Sequence, residues 1–184
     1  MKKLVPAVVL LLLIFSGCSR QPSDEEALEK LVRDYLEWSS DKSFLGFEPV
    51  YDPTGTVSAM DLQALDDAVR TISKTDLFDD EFLENLRELV TGYDSGIKSG
   101  RVSWQRDEMP PYAGADPWCF CQDIPLPDPS EYWLQVFVEI VWIENDTAMM
   151  NWFWHPEEDP YPVYAKKQNK TWKISYLYGF DPEL

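Results

Sequence analysis

The sequence is poor in the residues that bind metals or perform covalent catalysis. Its 184 residues include three cysteines and one histidine, whereas a structural zinc site usually needs four cysteine or histidine ligands. It contains no nucleotide-binding loop and no nucleophile motif. The acids that follow the histidine lack the interleaved pattern of a calcium loop. The sequence therefore predicts no metal, no cofactor and no catalytic residue set.

Long apolar runs are also missing, apart from one near the amino terminus. Residues 1–17 begin with the basic pair Lys2 and Lys3, continue with apolar residues and end with small residues directly before Cys18. This order is typical of a cleaved signal peptide. The apolar stretch, about twelve residues long, is too short to cross a bilayer as a helix.

Cys18 lies in a segment that resembles a bacterial lipobox, with Phe15 where leucine is usual. The resemblance implies that Cys18 becomes the mature amino terminus and is acylated, so that it anchors the protein in a lipid bilayer. Residues 18–23 would then form a lipidated tether. Ser19 implies sorting to the outer membrane, facing the periplasm. The alternative is an ordinary secretory signal followed by a chance cysteine.

Basic residues are outnumbered by acidic ones. Sixteen Lys and Arg against 33 Asp and Glu give a formal net charge of −17, and removal of Lys2 and Lys3 with the signal peptide changes it to −19. Such a surface repels phosphates, which excludes nucleic acid as an expected partner. It also offers no attraction to anionic lipid, so membrane attachment has to depend on the acyl chains.

Helical periodicity is confined to the first half of the mature chain. Apolar residues recur at helical spacing in residues 23–39, 61–72 and 79–97. Ser23 and Glu26 have the spacing of a capping box at the start of the first helix, and Ser58 is a plausible cap for the second. Three other segments are predicted to be a loop, a short strand and a proline-rich loop: residues 41–56, 101–106 and 107–130. Trp118 is among the apolar residues expected to pin the proline-rich loop against the rest of the domain.

Strand signals fill the second half. Residues 132–142 contain no Gly or Pro and are rich in β-branched and aromatic residues, so they predict a long strand with one face on the core. Strict alternation gives this face as Tyr132, Leu134, Val136, Val138, Ile140 and Trp142. Further strands are expected at residues 147–155, 163–168 and 171–178, the last two joined by a two-residue turn. Pairing Gln168 with Thr171 places five side chains of the last two strands on one face: Val163, Ala165, Trp172, Ile174 and Tyr176. Helices followed by an antiparallel meander predict an α+β fold for one domain, residues 24–184.

Three stretches together resemble the nuclear transport factor 2-like, or cystatin-like, superfold. They are the helix around residues 32–38, the segment at residues 116–125, and the last hairpin with Trp172, Lys173 and Ile174. Within the superfold, the chain is similar to a family of bacterial envelope lipoproteins of unknown function. The resemblance implies a cone of curved sheet closed by helices. It implies no activity, because the superfold includes enzymes, binding proteins and scaffolds.

Two cysteines remain in the mature domain, Cys119 and Cys121, separated by one residue. In an oxidising envelope they could form a tight local disulfide. Two free thiols, and a partial metal or redox site, are the alternatives.

A polar set on the predicted sheet is a candidate pocket. A three-residue loop after Trp142 would pair Trp142 with Ala148, which places Glu139 opposite Asn151 and Gln135 opposite His155. On a curved sheet these four residues could line a pocket like that of a ketosteroid isomerase. The other interpretation is that they form the more hydrated face of the sheet.

Eight tryptophans are present, and they either fill the core or form an aromatic patch for a partner. The leading hypothesis is a non-catalytic envelope module that binds a protein or a small apolar ligand. A small enzyme that uses a pocket carboxylate such as Glu139 is the alternative. Gln122 and Asp123 are expected to be structural latches that hold the proline-rich segment over the mouth of the cone.

Overall fold

The computed structural model describes residues 22–42, 44–114, 116–119, 131–155 and 159–180. Three helices precede a four-stranded antiparallel sheet, and a two-stranded sheet lies between the first and second helices, so the predicted α+β class is confirmed. Five residues with predicted roles in the mature chain lie outside the described ranges: Cys18, Ser19, Cys121, Gln122 and Asp123.

Helix α1 spans Asp24–Ser39, as its apolar spacing predicts. The Ser23 hydroxyl accepts a hydrogen bond from the Glu26 N–H at 3.2 Å, and the Glu26 carboxylate accepts one from the Ser23 N–H at 2.8 Å. This reciprocal pair satisfies two N–H groups at the helix start. The predicted capping box is therefore confirmed.

Helices α2 and α3 span Leu62–Ser73 and Asp80–Lys98. Asp61 caps α2 by accepting from the N–H groups of residues 63 and 64, so the expectation that Ser58 is the cap was wrong. Asp79 caps α3 by accepting from the Phe82 N–H at 3.0 Å. Both caps are carboxylates, which also interact favourably with the positive end of the helix.

The segment predicted to be loop, residues 41–56, contains strand β1, Pro49–Tyr51, which forms a hairpin with strand β2, Val57–Met60, directly after it. The Asp52 carboxylate accepts from the N–H groups of Thr54 and Thr56, and Gly55 has a positive φ of 88°, so side-chain bonding and one glycine close the turn. The short strand expected at residues 101–106 is absent. That segment contributes a single bridge, between Gln105 and Thr56.

The main sheet consists of β3, Phe137–Glu144; β4, Thr147–Phe153; β5, Tyr161–Gln168; and β6, Thr171–Leu177, in that order. The β5–β6 turn is Asn169-Lys170, with φ values of 51° and 70°. Two positive φ values suit a tight hairpin turn. The predicted meander and this turn are confirmed.

The first part of the predicted long strand is not a strand. Tyr132–Leu134 forms a 3₁₀ helix after Glu131, which has a φ of 58°. Tyr132 is buried and its hydroxyl donates to the Leu36 carbonyl of α1 at 3.1 Å. The Tyr132 contact with α1 draws this segment out of the sheet, although its composition favours a strand.

Bulges in β3 and β6 change which side chains face the core. In β3 the register shifts between Ile140 and Trp142, so Trp142 pairs with Met149 and not with Ala148. In β6 the extra residue is Ser175. Tyr164 of β5 pairs with Tyr176, whereas the next residue, Ala165, pairs with Ile174. Side chains normally alternate between the two faces of a sheet, and one extra residue in a strand exchanges the faces of the residues that follow it. Trp142 and Tyr176, both predicted to face the core, therefore lie on the other face.

The core lies between the helices and one face of the main sheet. Helix α1 contacts β3 and β6, and α3 contacts β6. Ala148, Met150 and Trp152 alternate along β4 as fully buried residues on this face. Within the described part of the chain, no helix has the length and apolar character needed to span a membrane.

Candidate functional site

Aromatic rings fill the core-facing side of the sheet. Trp152, with 1% of its surface exposed, stacks on Tyr161 at 4.4 Å between ring centroids and 17° between planes. The void beside them, lined also by Tyr35 and Trp118, measures about 10 Å³. One water needs at least that much space. At this place the interior has no room for an organic ligand.

The described part of the proline-rich segment closes the same core. Trp118 packs against Phe180 and Phe78 with centroid distances of 4.6 and 5.7 Å. Its indole N–H donates to the Lys42 carbonyl at 2.9 Å, and the Asp116 carboxylate accepts from the Trp118 N–H at 2.9 Å. The expectation that Trp118 pins this segment is therefore confirmed.

The opposite face of the main sheet, here called the open face, has a row of large side chains that crosses all four strands. Consecutive members are direct cross-strand partners, and every member is partly exposed. We call this set the aromatic row: Trp142, Met149, Tyr164 and Tyr176.

The rings of the aromatic row contact one another. Trp142 and Tyr164 have centroids 6.4 Å apart and Tyr164 and Tyr176 5.6 Å apart, both in edge-to-face geometry. Aromatic pairs in this geometry stabilise each other, and the thioether of Met149 is adaptable. Phe137 and Val141, which are 50% and 44% exposed, extend the apolar surface along β3. The open face thus carries a row of contacting apolar side chains that are accessible to a partner.

A cleft of about 600 Å³ adjoins the aromatic row at Met149. This volume is in the range of small-molecule sites. We call it the Asn151 cleft, and it is lined by Met149, Asn151, Asp159, Pro160, Tyr161, Pro162 and Tyr178. Among the described residues, the buried Oδ1 of Asn151 has no hydrogen-bond partner. An unpaired buried acceptor costs about 1–3 kcal/mol, and a donor group in the cleft would remove this cost.

The predicted polar set is only partly brought together. Glu139 pairs with Asn151, as predicted. Glu139 is exposed on the open face and does not enter the core. The ladder ends at the pair Phe137–Phe153, so Gln135 and His155 lie beyond it and the predicted pairing between these two residues was wrong. Both are exposed; Gln135 ends the 3₁₀ helix and His155 follows β4.

Cys119 is disulfide-bonded and buried. Cys121 lies outside the described residues, so the pairing between the two stays a prediction. In the part of the chain that the structure covers, no group of three or more His, Cys, Asp or Glu side chains could hold a metal ion.

Two buried tyrosines lie beneath the sheet. Burial raises the pKa of Tyr35 well above its ordinary value, and the nearby Tyr132 raises it further. Burial also raises the pKa of Tyr132, to about 12. Both phenols are therefore neutral at physiological pH and behave as packing groups rather than as general bases.

Sequence reasoning missed the aromatic row because no composition signal marks a bulge. The hairpin predicted from the sequence did place Val163 and Ala165 on the core face. Because side chains alternate along a strand, Tyr164 between them is then on the other face. Trp142 and Tyr176 follow bulges and could not be assigned in this way. Comparisons with protein-family models, with curated proteins and with solved structures found no match to this chain.

Proposed function

We propose that this protein is a lipid-anchored protein of the bacterial cell envelope whose domain binds a partner through the open face of its sheet. Cys18 is the lipidated residue, and the outer membrane facing the periplasm is the proposed location. The protein acts as a binding or accessory module. Its partner is another envelope protein or a small apolar ligand.

The aromatic row is the observation that carries this proposal. Trp142 and Tyr176 are large rings, and the two bulges place them on the partly exposed face. Exposed apolar patches that are larger than isolated residues mark interaction sites. Tryptophan and tyrosine also contribute most strongly to binding interfaces. The adjoining Asn151 cleft gives the platform a concave part.

The nuclear transport factor 2-like cone is the finer fold that we propose. Its support is the order of elements, with helices first and a bulged antiparallel sheet after them. Bulges increase local twist and bend a strand, which favours a curved sheet. In this arrangement the helices occupy the concave face, and the aromatic row lies on the convex one.

The ketosteroid-isomerase-like alternative requires an enclosed carboxylate. Glu139 is exposed and lies on the face that does not contact the helices. Glu139 therefore points towards solvent and not into an enclosed cavity in which it could act on a bound substrate. We therefore put forward binding alone.

Chemical crosslinking of the full-length lipoprotein in its native cells tests the binding proposal. We expect the parent to capture a defined partner, and Trp142→Ala with Tyr164→Ala to lose this capture without loss of folding. Met109→Ala, at a residue that is 73% exposed far from the aromatic row in sequence, is the matched control. Equal capture by the row variant would contradict the proposal.

Lipid labelling tests the anchor separately. Cys18→Ser should abolish incorporation of a labelled fatty acid and release a soluble or uncleaved form. Unchanged labelling in this variant would contradict lipidation at Cys18.

A further inference from the structure

The end of the domain at which the chain enters α1 contains a second concave surface. It measures about 440 Å³ and brings the start of α1 together with the β5–β6 turn. We call it the tether end and define it by Pro22, Lys30, Lys167, Lys170 and Thr171, which line it.

Three of the four carboxylates that line the tether end are paired with lysines, although the mature chain has a net charge of −19. The fourth, Glu26, accepts from the Ser23 N–H. Asp24 pairs with Lys167 at 2.6 Å and also accepts from the Trp172 indole at 2.9 Å. The Lys167 hydrogen bond, followed by that of Trp172, lowers the pKa of Asp24. Two further pairs are Lys30–Asp34 and Lys173–Asp76. This end therefore repels a phosphate-bearing surface less than the remaining acidic surface does.

Covalent geometry limits how far the tether end can lie from a lipidated Cys18. Three residues separate Cys18 from Pro22. Four fully extended residue steps span about 14 Å at most. The start of α1 is thus confined to the neighbourhood of the headgroup layer if the acyl chains are in the bilayer.

The direction of β5 fixes where the Asn151 cleft lies relative to this end. Pro162, which lines that cleft, is near the start of β5, and Gln168 ends the strand beside the turn at the tether end. Six strand steps span about 20 Å. The cleft and the tether end are therefore at opposite ends of β5.

We propose that the tether end lies against the lipid headgroup layer and that the Asn151 cleft faces the aqueous space, away from the bilayer. This orientation rests on the lipid anchor of the proposed function. It goes further because it assigns a membrane-contacting surface and states from which side a ligand enters. The short tether and the paired charges hold the domain in this orientation.

Photo-crosslinking of the full-length lipoprotein in vesicles of phosphatidylethanolamine and phosphatidylglycerol tests the orientation. A benzophenone amino acid is placed at Thr171 or, as a second near position, at Glu25, and at Asp159 as the matched far position. All three residues are exposed. We expect several-fold more lipid adducts, measured by mass spectrometry, from the near positions than from Asp159.

Flotation with the vesicles separates the two proposals. A protein that does not float overturns both the anchor and the orientation, whereas a floating protein with equal or reversed adduct yields overturns the orientation alone. Insertion of about twenty Gly and Ser residues between Arg20 and Gln21 extends the tether by tens of ångströms. The ratio of lipid adducts from the near positions to those from Asp159 should then fall towards one. An unchanged ratio would show that the short tether does not cause the orientation.

Discussion

Trp142 of β3 and Tyr164 of β5 approach each other edge to face across Met149, with ring centroids 6.4 Å apart. The contact exists because the β3 bulge turns Trp142 to the open face. Cross-strand pairs on a partly exposed face contribute roughly 0.2–1 kcal/mol. The contact is therefore weak as a stabilising element, which is consistent with a surface kept for binding.

Replacement of Trp142 should consequently have little effect on folding. We expect Trp142→Ala to lower the free energy of unfolding by about 1 kcal/mol or less, whereas Trp152→Ala in the core should lower it by about 3–5 kcal/mol. Urea denaturation followed by circular dichroism measures both. A loss for Trp142→Ala as large as that for Trp152→Ala would show that the aromatic row is part of the core.

The sequence predicted the elements better than it predicted which side chains share a face. The capping box, the helix positions and the Asn169-Lys170 turn follow from local chemistry, and the structure has them. The bulges in β3 and β6 depend on how neighbouring strands pack, and a shift of one residue reverses the face of every later side chain. For this reason Trp142 and Tyr176 were assigned to the wrong face.

The candidate site could be predicted only where the register is regular. The pairing of Glu139 with Asn151 precedes the β3 bulge and is correct. Tyr132 was misassigned because its hydroxyl bonds to the Leu36 carbonyl of α1, a contact that strand propensity does not contain. Tertiary contacts of this kind override local preference.

Asn151 provides a prediction in which stability and binding change in opposite directions. Asn151→Val removes a buried acceptor that has no partner among the described residues and places a β-branched residue in a strand. We expect the free energy of unfolding to rise by up to about 1–3 kcal/mol, while partner capture falls. A destabilised Asn151→Val protein in thermal unfolding would show that the Asn151 amide is a structural group.

Asp79 is a buried cap whose charge opposes folding. It is 2% exposed, and burial is the main cause that raises its pKa above the ordinary value. The folded state then binds a proton more readily than the unfolded state, so this group's contribution to stability increases as pH falls through its folded pKa towards 3.8.

Two substitutions separate the charge of Asp79 from its role as a cap. Asp79→Asn keeps a capping oxygen, so it should be at least as stable as the parent at pH 7, with the difference shrinking as the pH is lowered. Asp79→Ala should lose about 0.5–2 kcal/mol because the Phe82 N–H loses its acceptor. Denaturation at several pH values checks both. A large loss for Asp79→Asn would contradict a net cost of the charge.

The two buried tyrosines form a matched pair. The Tyr132 hydroxyl donates to the Leu36 carbonyl at 3.1 Å, so Tyr132→Phe should cost about 0.5–1.5 kcal/mol. The Tyr35 hydroxyl has Trp152 nearby but no partner in hydrogen-bonding geometry among the described residues. Tyr35→Phe should therefore be neutral or slightly stabilising. Equal losses for the two variants in urea denaturation would imply that the Tyr35 hydroxyl is bonded.

Gly179 tests how closely the proline-rich segment approaches the end of the chain. A Cβ at Gly179 would clash with the Pro117 carbonyl oxygen, and backbone cannot move aside as a flexible side chain can. Gly179→Ala should therefore force Pro117, and with it the neighbouring Trp118, away from Phe180. We expect a loss of about 1–3 kcal/mol in the free energy of unfolding, as for other overpacked sites.

Gly92 is the matched control for the same chemical change. It lies in α3, and a Cβ there would meet no atom within 4 Å. Because alanine is the better helix former, Gly92→Ala should stabilise the protein by about 0.5–1 kcal/mol. Thermal and urea denaturation of the two variants should thus give shifts of opposite sign. A Gly179→Ala protein as stable as the parent would show that the segment around Pro117 is not docked against the carboxyl-terminal turn.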